Sequence, residues 1–161
     1  MTFFKTVALI SALFIWAILP SSANASYPTP DIAYWDLSIS DSSKDPEYQK
    51  VQDLVAQKQF AEALSILEGK IVSQPKEATP EILKAMVLNE NNEPQQALES
   101  LLTGFQKERQ HPALHFAFCQ IHRKLGNGLT SEKACIIASE QHRNNPLAHY
   151  EFAITLMSLG K

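Results

Sequence analysis

Apolar positions in most of the chain recur with the spacing of amphipathic helices. From Asp45 onward, helix-forming residues dominate, and Pro, Gly or Asn interrupts them at intervals of about twelve to seventeen residues. Several prolines stand where the first turn of a helix tolerates a missing N–H group. We find no sustained alternation of apolar and polar positions of the kind that indicates strands. The pattern predicts helices over 46–57, 60–73, 80–90, 94–108, 112–125, 131–143 and 146–159.

The segment 1–25 has the pattern of an export signal. Lys5 is its only charged residue, the run 6–19 is apolar or small, and positions 23–25 read Ala-Asn-Ala, a small-x-small cleavage pattern. A run of 14 residues is shorter than the roughly 20 that a membrane-spanning helix needs. We expect cleavage after Ala25 and a periplasmic or secreted protein with no membrane span. An uncleaved anchor is the alternative.

Residues 26–44 separate this signal from the predicted helices. Pro28, Pro30 and the Ser/Asp cluster at 38–43 disfavour a long helix. We therefore expect a flexible N-terminal leader, followed by one helical domain over 45–161. The leader contains one apolar patch, 32–37, with the sequence Ile-Ala-Tyr-Trp-Asp-Leu. The alternative is that its Tyr-Trp pair docks onto the helices or onto a partner.

The predicted helices repeat at a constant offset along the chain. The segment 60–67 resembles 94–101, and 111–127 aligns with 145–161 at the same offset. Ala134 fits the second-helix pattern of Ala97 only if the spacing is slightly longer, so we place three extra residues in a longer loop at 126–130. Identical pairs in the second alignment are Pro112/Pro146, His115/His149, Phe118/Phe152, Leu125/Leu159 and Gly126/Gly160.

A helix–turn–helix period of about 34 residues resembles the tetratricopeptide repeat family. A small residue in each first helix, a bulkier one three positions later and a Gly or Asn turn add to the resemblance, which covers 45–161. The chain departs from the family by lacking the first-helix Trp and by having Lys58 and Asn92 where Gly126 and Gly160 follow later. The resemblance implies an all-α fold, an α-solenoid of about three and a half antiparallel helical hairpins that share one core.

The resemblance also implies a concave groove lined by the first helix of each hairpin. Aromatic or apolar residues recur at one groove register, with Gln or Met one helical turn later, and this chemistry suits an extended or helical peptide. Ordinary internal packing is the alternative. The candidate groove residues are Tyr48, Gln52, Ile82, Met86, Phe116, Gln120, Arg123 and Tyr150.

Charge and motifs narrow the function. Removing Lys5 from 14 basic residues leaves 13 against 17 acidic ones, with no basic stretch, which disfavours nucleic acid and anionic lipid as partners. We find no phosphate-binding loop, serine elbow or zinc-protease motif, so we expect neither an enzyme nor a cofactor. The expected function is a protein-interaction scaffold in the cell envelope. An accessory subunit of an envelope enzyme complex, for peptidoglycan or cytochrome maturation, is the alternative.

Cys119 and Cys135 are the only cysteines and fall on paired helices. An even count in an exported protein favours a disulfide, with two buried free thiols as the alternative. His115 and His122 share a helical face with Cys119, so a zinc set with Cys135 is a weaker alternative. We expect no metal.

The last predicted helix is unusually apolar. Glu151 is its only charged residue before Lys161, whereas repeat arrays normally end in a polar cap. This composition predicts self-association, a partner that completes the stack, or a repeat protein truncated at its C-terminus.

Overall fold

The computed structural model describes residues 45–161. The predicted signal peptide (1–25) and leader (26–44) lie outside the described residues. No helix within 45–161 is long and apolar enough to cross a membrane. The helices are α1 (Pro46–Ala56), α2 (Phe60–Ser73), α3 (Thr79–Glu90), α4 (Pro94–Lys107), α5 (Leu114–Lys124), α6 (Gly128–Gln141) and α7 (Pro146–Ser158).

Each helix packs against its neighbour in sequence, and the predicted all-α fold is confirmed. The pairs α1–α2, α3–α4 and α5–α6 are antiparallel hairpins. The helix α5 also contacts α3 and α7, so first helices of successive hairpins lie side by side. This is the packing by which helical hairpins that cannot bury their apolar faces alone share a core.

Four left-handed residues mark the period in the backbone. Lys58, Asn92, Gly126 and Gly160 have φ angles of 59°, 64°, 75° and 69° and are evenly spaced along the chain. After each of them, the next N–H donates to a carbonyl five residues earlier, as from Gln59 to Leu54 at 2.8 Å. This hydrogen bond closes a Schellman motif, which ends a helix with one left-handed residue. The predicted period is therefore present at every first-helix end.

Two inward registers form the seam of each hairpin. Val51, Ala85 and Cys119 are fully buried in first helices. The second helices contribute another fully buried register with the same even spacing, Leu67, Leu101 and Cys135. Small residues on one side let the helices approach closely, and the larger ones fill the space between them. The third hairpin replaces this apolar contact with its two cysteines.

The start of α6 differs from the prediction. The helix begins at Gly128 and not at residue 131, so no longer loop follows α5. The fully buried small position of Ala63 and Ala97 is continued by Ser131, at an unchanged offset, and not by Ala134. Gly128 suggested a loop in the sequence, but it is a packing residue. A Cβ atom there would lie 2.4 Å from Leu159 Cδ2.

The start of α5 also moves, from the predicted residue 112 to Leu114. His111 is buried just before it, and its Nδ1 accepts a hydrogen bond from the Ala113 N–H group at 3.3 Å. The Thr79 hydroxyl lies 3.2 Å from the other ring nitrogen, which ties this turn to the start of α3. Burial lowers the pKa of His111 from its ordinary value, so the neutral ring is the folded form.

Candidate functional site

The eight predicted groove residues all lie on the first helices α1, α3, α5 and α7. Three of them, Gln52, Arg123 and Tyr150, are partly exposed. The other five are at most 4% exposed: Tyr48, Ile82, Met86, Phe116 and Gln120.

Most of the predicted stripe is therefore covered and does not form an open apolar trench. Phe116 packs with Ala138, Ala148 and Leu147, which belong to α6 and α7. Tyr48 and Ile82 belong to the main core instead. Large rings and branched chains at this register are drawn into the seams between hairpins because burial of apolar area is favourable. Peptide binding at these residues stays a prediction.

A polar cluster joins the first helices of three hairpins. Arg123 Nη2 of α5 donates to Glu151 Oε2 of α7 at 2.7 Å, and the Glu151 side chain is only 3% exposed. On the other side of α5, Lys124 Nζ donates to the main-chain oxygen of Asn89 at the end of α3. Gln120 lies one helical turn before Arg123 and Lys124. We call Asn89, Gln120, Arg123 and Glu151 the polar cluster.

Three atoms of the polar cluster are buried without a hydrogen-bond partner. They are Asn89 Oδ1, Gln120 Nε2 and Arg123 Nε. Buried polar groups are nearly always paired, and an unpaired one destabilises a protein by about 1–3 kcal/mol. One acceptor and two donors on adjacent helices match the alternating N–H and C=O groups of an extended backbone.

The start of α1 is anchored by a second set of charges. Lys70 Nζ lies 2.5 Å from Asp45 Oδ2 and 2.7 Å from Glu47 Oε2, and 5.0 Å from the centre of the Tyr48 ring. Burial alone would lower the pKa of Lys70, but hydrogen bonds from both carboxylates outweigh it and raise the pKa. The bond from Lys70 likewise lowers the pKa of Asp45. These contacts fix where residue 45 enters the fold.

The predicted disulfide between Cys119 and Cys135 is present, with 4.9 Å between the Cα atoms. Ser131 Oγ donates to the Cys119 main-chain oxygen at 2.6 Å, and Thr155 Oγ1 of α7 lies 3.2 Å from Cys135 Sγ. The bond is compatible with an oxidising compartment.

The same bond excludes the zinc set considered from the sequence, because both sulfurs bind each other and not a metal. Among the described residues, no group of three His, Cys, Asp or Glu side chains could hold a metal ion.

Sequence reasoning identified only half of the polar cluster. Gln120 and Arg123 were predicted, whereas Asn89 and Glu151 were not. Asn89 could have been found because it precedes Arg123 by one repeat period, at the same register of the preceding hairpin. Glu151 was visible as the only charge of an apolar helix, which in a buried setting calls for a partner.

The comparisons with known proteins add no relative. No protein-family model matches the chain, and neither curated proteins nor solved structures gave a match. The all-α hairpin fold therefore stands on its own packing and period, and the likeness to tetratricopeptide repeats is one of architecture.

Proposed function

We propose that this protein is an interaction scaffold of the cell envelope that holds an extended segment of a partner protein against its concave face. The observation that carries the proposal is the set of unpaired buried atoms on Asn89, Gln120 and Arg123. Their unmet hydrogen bonds are a standing cost in the free fold, and a bound backbone would remove it. Partner binding would thus recover free energy at the point where three hairpins meet.

The mixture of donors and acceptor favours a peptide over other ligands. A nucleic acid or a phosphate would need several unpaired cations, whereas Arg123 is neutralised by Glu151 at 2.7 Å. A backbone needs no net charge and supplies N–H and C=O groups in alternation. The partly exposed ring of Tyr150 lies beside the cluster on α7 and would add an aromatic anchor.

The envelope location rests on two supports. The segment 1–25 has the pattern of an export signal. The disulfide Cys119–Cys135 persists in an oxidising compartment, and such bonds are rare in the cytosol. A scaffold role also fits the disulfide, because bonding removes Cys119 as a nucleophile beside His122. We therefore propose a binding protein and not an enzyme.

Photocrosslinking in living cells tests the proposal. A benzoyl-phenylalanine in place of Tyr150 keeps an aromatic ring at the concave face. The matched control carries the same label at Glu68, which is exposed on α2. We expect a discrete adduct with another protein from Tyr150 and none from Glu68. Equal labelling from both positions, or none from either, would refute binding at this face.

A further inference from the structure

The segment before α1 enters the fold beside the concave face. Residue 45 is fixed by the contact of Lys70 with Asp45 at 2.5 Å. Going back from residue 44 to residue 37 takes seven residues, which span about 23 Å when extended. Packed helices lie about 8–10 Å apart, so α5 is within reach of the apolar patch 32–37.

The patch 32–37 and its neighbour Asp31 supply the groups that the polar cluster lacks. Gln120 Nε2 and Arg123 Nε each have a free hydrogen to donate, and Asn89 Oδ1 has none to accept. Backbone carbonyls, or the Asp36 carboxylate, would accept the two donors, and a backbone N–H would serve Asn89. The prolines at 28 and 30 favour an extended chain, which presents its backbone groups outward.

Charge complementarity points the same way. The helix α5 ends in Arg123 and Lys124, and the segment carries Asp31 and Asp36 around its aromatic pair. Opposite charges at a short distance orient a docked segment even where each pair contributes little. Tyr34 and Trp35 would bring the large apolar area on which peptide docking usually depends.

We infer that residues 31–37 lie across the concave face of the free protein as an intramolecular occupant that a partner must displace. The inference rests on the proposed function, because it assigns an occupant to the same face. It gives the leader a fixed position in place of the flexible tail predicted from composition. Docking would lower the apparent affinity for a partner by the fraction of molecules in which the face is free.

Limited proteolysis of the purified chain beginning at Ser26 tests this inference. Chymotrypsin cuts after aromatic residues, and its rate at Tyr34 and Trp35 follows the fraction of undocked molecules when docking is fast. We expect cleavage there at least about tenfold slower than in a synthetic peptide of residues 26–44. Replacing Gln120 by Met removes one hydrogen bond with little change of shape, and should speed cleavage about fivefold.

The control is Gln106→Met, the same substitution at an exposed position of α4, which should leave the rate unchanged. Cleavage as fast as in the free peptide overturns the inference, and so does a slow rate that Gln120→Met does not alter. A rate that falls as protein concentration rises assigns the face to a second copy and also overturns it. No partner is present in this assay, so its failure is separate from a failure of the crosslinking in cells.

Discussion

The left-handed helix ends make the sharpest stability prediction. At Gly126, φ is +75° and a Cβ atom would meet nothing within 4 Å, so Gly126→Ala tests the backbone conformation alone. A left-handed residue with a Cβ costs about 1–2 kcal/mol. We expect the free energy of unfolding to fall by that amount, and the thermal midpoint to fall by about 4–8 °C in a domain of this size.

Gly69→Ala is the matched control, because it makes the same chemical change in equally open space. Gly69 is exposed within α2, and a Cβ there also meets nothing within 4 Å. Alanine in a helix interior is better than glycine by about 0.5–1 kcal/mol, so this variant should be more stable. The two substitutions are therefore predicted to have opposite signs because of φ alone.

Lys58→Gly completes the series at the first hairpin. It relieves a left-handed lysine with φ of 59°, against which the greater entropy of glycine in the unfolded chain works. We expect a net gain of about 0.5–1 kcal/mol. Guanidinium unfolding followed by helical circular dichroism would measure all three variants. The reasoning is refuted if Gly126→Ala is neutral or stabilising, or if Gly69→Ala destabilises as much.

Three further predictions concern the core and the pH response. Reducing Cys119–Cys135, whose residues are 16 apart, should lower stability by about 3 kcal/mol, and an unchanged melting midpoint would contradict a structural role. Leu88 is 4% exposed, so Leu88→Asp should unfold the domain by burying a charge, whereas native helicity and melting would count against the core assignment. Burial lowers the pKa of His111 below 6.5, so the unfolded chain binds the proton first and stability should fall as pH drops through about 6.5. His111→Gln should flatten that slope in melting curves, and the exposed His149→Gln should not.

The sequence predicted the fold well because the repeat period is set by turns and seams whose residues lie close together along the chain. Six of the seven helices begin within two residues of the prediction. The seventh, α6, begins three residues early because Gly128 resembles a loop glycine and Ser131 stands where Ala63 and Ala97 lie in earlier hairpins. Only the neighbouring Leu159, distant in sequence, explains why that glycine is helical.

The candidate site could be predicted only in part, because burial depends on all the helices together. Periodicity placed Phe116 and Gln120 at the concave register, but it could not tell that Phe116 would be covered by side chains of α6 and α7. The pairing of Arg123 with Glu151 joins helices through residues 28 apart in the chain. Such contacts follow from how three hairpins stack, and no local pattern contains them.

The measurement that tests the central claim most directly is crosslinking in cells from Tyr150 and Glu68, each in the native chain and in a Trp35→Ala chain. The account predicts an adduct with another protein from Tyr150 only, and a higher yield when Trp35→Ala frees the concave face. Absence of a Tyr150 adduct in both chains, or equal adducts from Glu68, would contradict the account.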